Sequence, residues 1–290
     1  MNFKTISIKI LDTLQQGKNR LSSEAQKRIV SFVKSQLTEN GSFMDKNGKA
    51  DLYYTLFGLM LAYILRLKIN TRLTEQWLDK QSSKQSDLVY YAAFIRSRML
   101  CELLKTGKLI FALRQLFKSN QILPDFTDYP HGDKFSPYSQ FLLVSLKEDL
   151  GIDTMAHQEI LTSLSIFRHK NGGFCNFKGS KQATTNATVA ALAVQGQLDG
   201  YWNNKDVEYL YSLQEENGGF YANSSALIPD LLSTATALFI LKCIGITPRI
   251  NADDFIDAHW LSSGGFCATL LDESSDVEYT FYGLLALGAL

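Results

Sequence analysis

The sequence is poor in the features that usually place a protein at once. It has four cysteines, Cys101, Cys175, Cys243 and Cys267. No two stand at C-x-x-C spacing, which excludes a zinc knuckle or a thioredoxin-type motif. Five prolines in 290 residues suit a mostly helical chain. Neither charge dominates, with Lys+Arg and Asp+Glu both at 29, so no global field favours nucleic acid or an anionic surface. No apolar run reaches the roughly 20 residues that a transmembrane helix needs. The stretch Met1 to Ile10 lacks the apolar core of a signal peptide. Together these absences point to a cytoplasmic protein with reduced thiols and no transmembrane segment.

What is present is a repeat. Asp51-Leu-Tyr-Tyr54-Thr55-Leu-Phe57-Gly58-Leu59 matches Asp276-Val-Glu-Tyr279-Thr280-Phe-Tyr282-Gly283-Leu284 as D-x-x-Y-T-x-[FY]-G-L. Between these ends the turns Gly172-Gly173-Phe174, Gly218-Gly219-Phe220 and Gly264-Gly265-Phe266 follow one another at an even spacing of 46 residues. An amphipathic segment precedes each turn; a polar loop and an apolar segment follow it. Glycine ends a helix without steric penalty, and Asp, Ser or Thr caps the next one. The apolar helices start near 51, 87, 136, 184, 230 and 276, and the copies at 87 and 136 are the weakest. A leading helix within residues 1–20, stopping at Gly17, precedes six helical hairpins over 21–290.

Six such hairpins close into an all-α ring, with the apolar helices inside and the charged ones outside. The first and last units match best and the last helix ends without a polar cap, so a closed α6/α6 toroid of one domain, 1–290, is expected rather than an open solenoid.

G-G-F, a loop, then D-x-x-Y-T-x-Y-G-L-x-A-L resembles the repeat of protein prenyltransferase β subunits and of squalene and terpene cyclases. That resemblance implies an α6/α6 barrel whose hollow holds an isoprenoid. The family's chemical signatures are missing. At the zinc positions of the prenyltransferases Asp230 remains, but Leu232 replaces the cysteine and Tyr279 the histidine. The loop Tyr221 to Pro229 lacks the family's diphosphate-binding cations. The cyclase acid motif D-x-D-D-T-A reads Asp230-Leu-Leu232-Ser233-Thr234-Ala235 here. The resemblance therefore implies no zinc and no resident cofactor; magnesium would enter only with a diphosphate substrate.

The candidate catalytic residues are Asp230, Asp276 and Tyr279, each also accounted for by capping or packing. Tyr54, Phe57, Tyr91, Tyr138, Phe239 and Tyr282 are candidates to line an aromatic hollow for a prenyl chain or a carbocation. Lys178 and Lys181 form the best local anion site. Asp253-Asp254-x-x-Asp257 spells a magnesium motif, but capping of an outer helix explains it. The run from Asp125 to His131 and Asp133 gathers carboxylates and a histidine in an irregular loop. The functions that remain open are an isoprenoid-handling enzyme, a non-catalytic binder of an apolar small molecule, and a subunit completed by a protein partner.

Overall fold

A computed structural model of the chain describes residues 4–81, 86–107, 123–154, 157–198 and 200–290. Six inner helices run parallel: α3 (Leu52–Leu65), α5 (Leu88–Thr106), α6 (Pro137–Leu150), α8 (Thr185–Leu198), α10 (Leu231–Cys243) and α12 (Val277–Ala289). Five outer helices are described: α2 (Ser23–Ser35), α4 (Thr71–Asp79), α7 (His157–Ser165), α9 (Asn204–Ser212) and α11 (Asp253–Ala258). Residues 108–122, between α5 and α6, lie outside the described residues. The apolar periodicity of α2 and α4 puts one stripe inward, whereas α3, α10 and α12 are buried almost all round.

Each regular unit is held by the same polar stitch. The turn phenylalanine donates its N–H to a threonine hydroxyl one turn into the inner helix. The pairs are Phe43–Thr55 (2.9 Å), Phe174–Thr188 (2.9 Å), Phe220–Thr234 (2.8 Å) and Phe266–Thr280 (3.2 Å). Each threonine hydroxyl in turn donates to the carbonyl of the capping residue four positions back. The four phenylalanines are essentially fully buried, which stabilises each turn by roughly 1.5–3 kcal/mol. Phe43 and Phe266 lie against Gly58 and Gly283, where a Cβ would come within 2.2 and 2.5 Å of the ring. In unit one the loop also pairs as a two-residue hairpin, Phe43–Met44 with Ala50–Asp51.

The ring closes. In the G-G turns the first glycine adopts positive φ and abuts the backbone of the next outer helix or of the residues just before it: Gly172 at Lys205, Gly218 at Asn251 and, across the seam, Gly264 at Arg28 of the first unit. Arg28 also donates to Ser262 O (2.6 Å), and Lys46 of the first loop pairs with Asp272 of the last (2.9 Å).

Helix α1 (Ile6–Arg20) covers the base of the ring, at the C-terminal ends of the inner helices. Ile6 N–H donates to Glu148, Ser7 to Asp149, and Lys18 to Ile64 O. Gly17 does not stop this helix as the sequence pattern suggests. It sits inside it and lets the backbones of α1 and α12 touch, since a Cβ there would lie 1.9 Å from Leu284 O; Gly288 does the same from the other side, 1.8 Å from Thr13 O.

Candidate functional site

The inner helices place their N-termini at one rim, where the loops tie neighbour to neighbour: Lys178 to Asp133, Gln182 to Asn223 and Ser225, Leu231 N–H to Ala268 O, Lys46 to Asp272. Below that crown, the second residue after each cap forms a layer: Tyr53, Val89, Tyr138, Asn186, Leu232 and Glu278. None of the six is fully buried, although most of the inner-helix residues around them are. Thr236 Oγ reaches Asn186 (3.2 Å) across two helices of the ring. One turn deeper, Phe57 packs on Tyr53 and Phe281 at centroid distances of 4.8 Å and on Tyr282 at 5.9 Å. Tyr138 stacks on Phe141.

Glu278 is the acid of this layer. Tyr53 donates its hydroxyl to Glu278 Oε1 (3.3 Å). Burial, reinforced by the charge of Asp276, pushes the Glu278 carboxyl up to about 7, against smaller opposing effects of Tyr53, Lys46 and Tyr54. The Tyr53 and Tyr282 hydroxyls are pushed well up, first by burial and then by neighbouring tyrosines and Glu278, so both stay neutral donors. At the mouth, burial alone would lower Lys46. Its hydrogen bond to Asp272 and the field of Asp276 outweigh that and leave it raised, while Lys46 holds Asp272 down to about 2. Lys46 also lies over the Tyr279 ring, 5.0 Å from its centroid.

Asp230 and Asp276 serve as caps. Asp230 Oδ1 accepts from Ser233 N–H and Oδ2 from Ser233 Oγ, both at 2.8 Å. Asp276 Oδ1 accepts from Tyr279 N–H (2.8 Å), and its Oδ2 faces Lys46 at 3.6 Å. Burial raises both carboxyls. Asp51 and Asp87 cap in the same way. Tyr54 and Tyr279 lie at the mouth, half-buried; Phe57, Tyr138 and Tyr282 belong to the aromatic layers. Phe239 is buried in the main core, and Tyr91 packs edge-on to Phe126 (5.3 Å) in a separate cluster between α5 and α6. Lys178 is tied to Asp133 on the outer crown, and Lys181 is exposed there. Asp253 pairs with Arg20, and His131 packs on Phe177 and Tyr138. Among the described residues no cluster of His, Cys, Asp and Glu is arranged to hold a metal ion.

A recess lies at the other end, under α1, and Ile8, Leu11, Met60, Met99, Leu100 and Leu103 form much of its wall. Arg96, Glu148 and Asp149 supply its polar side. Arg96 donates from Nε to Asp149 (2.8 Å) and from one terminal nitrogen to Ser145 Oγ (2.7 Å).

Residue-by-residue matching of the repeat passes over Glu278, Lys46 and Arg96, and offers Tyr53 only as one of the rings near the candidate tyrosines. The usable signal was the unmatched slot: where the two best copies agree on D, Y, T and G, they differ as Tyr53 against Glu278.

The geometry agrees with an independent comparison. A family model, the prenyltransferase alpha-alpha toroid domain, matches residues 3–92 and 133–290. The chain belongs to this family. No curated protein matches the sequence. The family match leaves out residues 93–132 of this toroid, the stretch that follows the first turns of α5. Among the described residues no helix is long and apolar enough to cross a membrane.

Proposed function

We propose that this toroid is an isoprenoid-handling enzyme that binds a neutral prenyl chain in its hollow, with Glu278 as the proton-transferring group. The observation that carries this is a single carboxyl set among tyrosines and balanced near neutral pH, where it exchanges a proton most readily. The rings of Tyr53, Tyr138, Tyr282 and Phe57 offer π-faces to a developing carbocation. Protonated Glu278 would give its proton to a double bond of the chain, forming the cation and leaving the carboxylate; the same carboxylate would take back the proton whose loss ends the cation as an alkene, and Tyr53 orients its oxygen.

A neutral chain is favoured over a diphosphate on charge grounds. The mouth carries Asp272, Asp276 and Glu278, and its nearest cation, Lys46, is already engaged by the two aspartates. Asp230 and Asp276 then act as caps that fix the helix ends, and Tyr279 shapes the entrance. The test is a thermal shift of the full chain with farnesol, geranylgeraniol and the matching diphosphates, with and without magnesium, followed by product analysis. Stabilisation by the alcohols with product formed, and product lost in Glu278→Gln, supports the reading. Stabilisation without product would make the toroid a binder, and stabilisation by the diphosphates alone would refute the neutral substrate.

A further inference from the structure

We infer a second ligand site at the base of the ring, separate from the tyrosine layer, for a short amphiphile with a neutral hydrogen-bonding head such as an alcohol or ketone. It goes beyond the reading of the upper hollow and does not depend on it. The recess under α1 is two-sided. Ile8 and Leu11 from α1, Met60 from α3, and Met99, Leu100 and Leu103 from α5 make an apolar wall able to take an alkyl chain. Two of these are methionines, whose unbranched side chains adapt to a ligand's shape.

The opposite side fixes what head can enter. Arg96 has five N–H donors. Two are used, on Asp149 and Ser145, which leaves donors on a guanidinium that lines the recess. A carboxylate or phosphate head is disfavoured, because Asp149 and Glu148 line the same side. Asp149 already neutralises Arg96, and an added anion would meet two carboxyl groups and one cation. An ammonium head would have to compete with Arg96 and Ser7 for Asp149, and with Gln197 and the Ile6 N–H for Glu148. A neutral oxygen accepts from Arg96 and disturbs none of these bonds.

Its walls come mostly from α1 and α5; α3 and α6, which carry Tyr53 and Tyr138 near their N-termini, add Met60, Glu148 and Asp149 from their deeper turns. The Arg96–Asp149 pair, with side-chain exposures of 12% and 3%, belongs to its lining.

The experiment is a calorimetric titration of the full chain with 1-octanol, which has no double bond to react. Wild type is expected to bind it saturably. Ile8→Trp and Leu11→Trp place an indole in the recess from half-buried positions on α1, and each should weaken octanol at least about tenfold with the thermal midpoint retained. Glu278→Gln should leave octanol affinity within about twofold, as expected for independent sites. Three outcomes would overturn the inference. Wild type does not bind octanol; both folded tryptophan variants bind it as tightly as wild type; or Glu278→Gln abolishes binding, which would make the two recesses one. None of these touches the farnesol test of the upper hollow.

Discussion

Units one, four, five and six differ from units two and three in one position more than in any other. At the stitch, the regular units carry Thr55, Thr188, Thr234 and Thr280; the irregular ones carry Tyr91 and Gln140. Three residues further on, small Gly58, Ala191, Ala237 and Gly283 give way to Phe94 and Leu143. A bulky residue there is incompatible with a turn ring packed as Phe43 and Phe266 are on Gly58 and Gly283. In unit three the phenylalanine next to the cap, Phe135, is 41% exposed. The irregular units hold their turns by other means. Leu88 N–H donates to Asp128 O, Thr127 and Asp128 donate to Ser86 O, and Ser136, Ser139 and Gln140 bond the carbonyls of Pro130, Asp133 and Lys134. The repeat thus persists as a fold without its stitch. Arg96, Asp149 and Tyr138, on which the two proposals draw, all come from these two units.

The sharpest way to break this comparison is to delete a ring on each side of it. Phe220→Ala should cost about 3–5 kcal/mol in urea unfolding, the usual penalty for an emptied aromatic site. Phe135→Ala, in the loop of unit three just before the cap Ser136, should stay within about 0.5 kcal/mol. Equal losses would show that the third turn is packed like the fifth.

The next effect concerns the slot shared by Tyr53 and Glu278. Glu278 is harder to ionise in the folded chain than in the unfolded one, so the folded state binds the extra proton. Its contribution is fully present below about pH 4.5, the unfolded value, and is lost as pH rises to about 7. The loss amounts to about 3.4 kcal/mol at most. Glu278→Gln keeps an acceptor for Tyr53 and removes the titration, so its advantage over wild type should grow from pH 5 to pH 8. A difference that is flat in pH would place Glu278 in an ordinary solvated setting.

A third effect isolates the stitch. Thr234→Val leaves the Phe220 N–H buried without its acceptor and should cost about 1–3 kcal/mol by chemical denaturation. The smallest effect expected is at the matching site of unit two. Tyr91→Phe removes a hydroxyl with no role in any stitch and should change stability by less than about 0.5 kcal/mol.

Much of the ring could be read from the chain. The D-x-x-Y-T and G-G-F copies fixed the number and phase of the units, because capping aspartates, turn glycines and buried phenylalanines each have a local physical reason. What could not be read was direction. Tyr54 and Tyr279 match each other, yet the hydrogen bond between the first and last inner helices joins their unmatched neighbours Tyr53 and Glu278. The matched capping aspartates and stitch threonines are what the units need to fold, and the proposed acid stands in a slot they leave open. Gly17 was misread for a related reason: glycine spells a helix end locally, and only the approach of α12 explains it inside α1. The Arg96–Asp149 pair spans two weak units, so no spacing rule linked its members.

The most direct test of the account is the titration of the Glu278 carboxyl itself. Chains labelled with carboxyl-¹³C glutamate, wild type and Glu278→Gln, would be followed by NMR from pH 4 to pH 9, with and without farnesol. The account predicts one resonance, absent from the variant, that titrates near 7 and shifts when farnesol is added. A Glu278 resonance titrating near the ordinary glutamate value of about 4.3, and indifferent to farnesol, would contradict it.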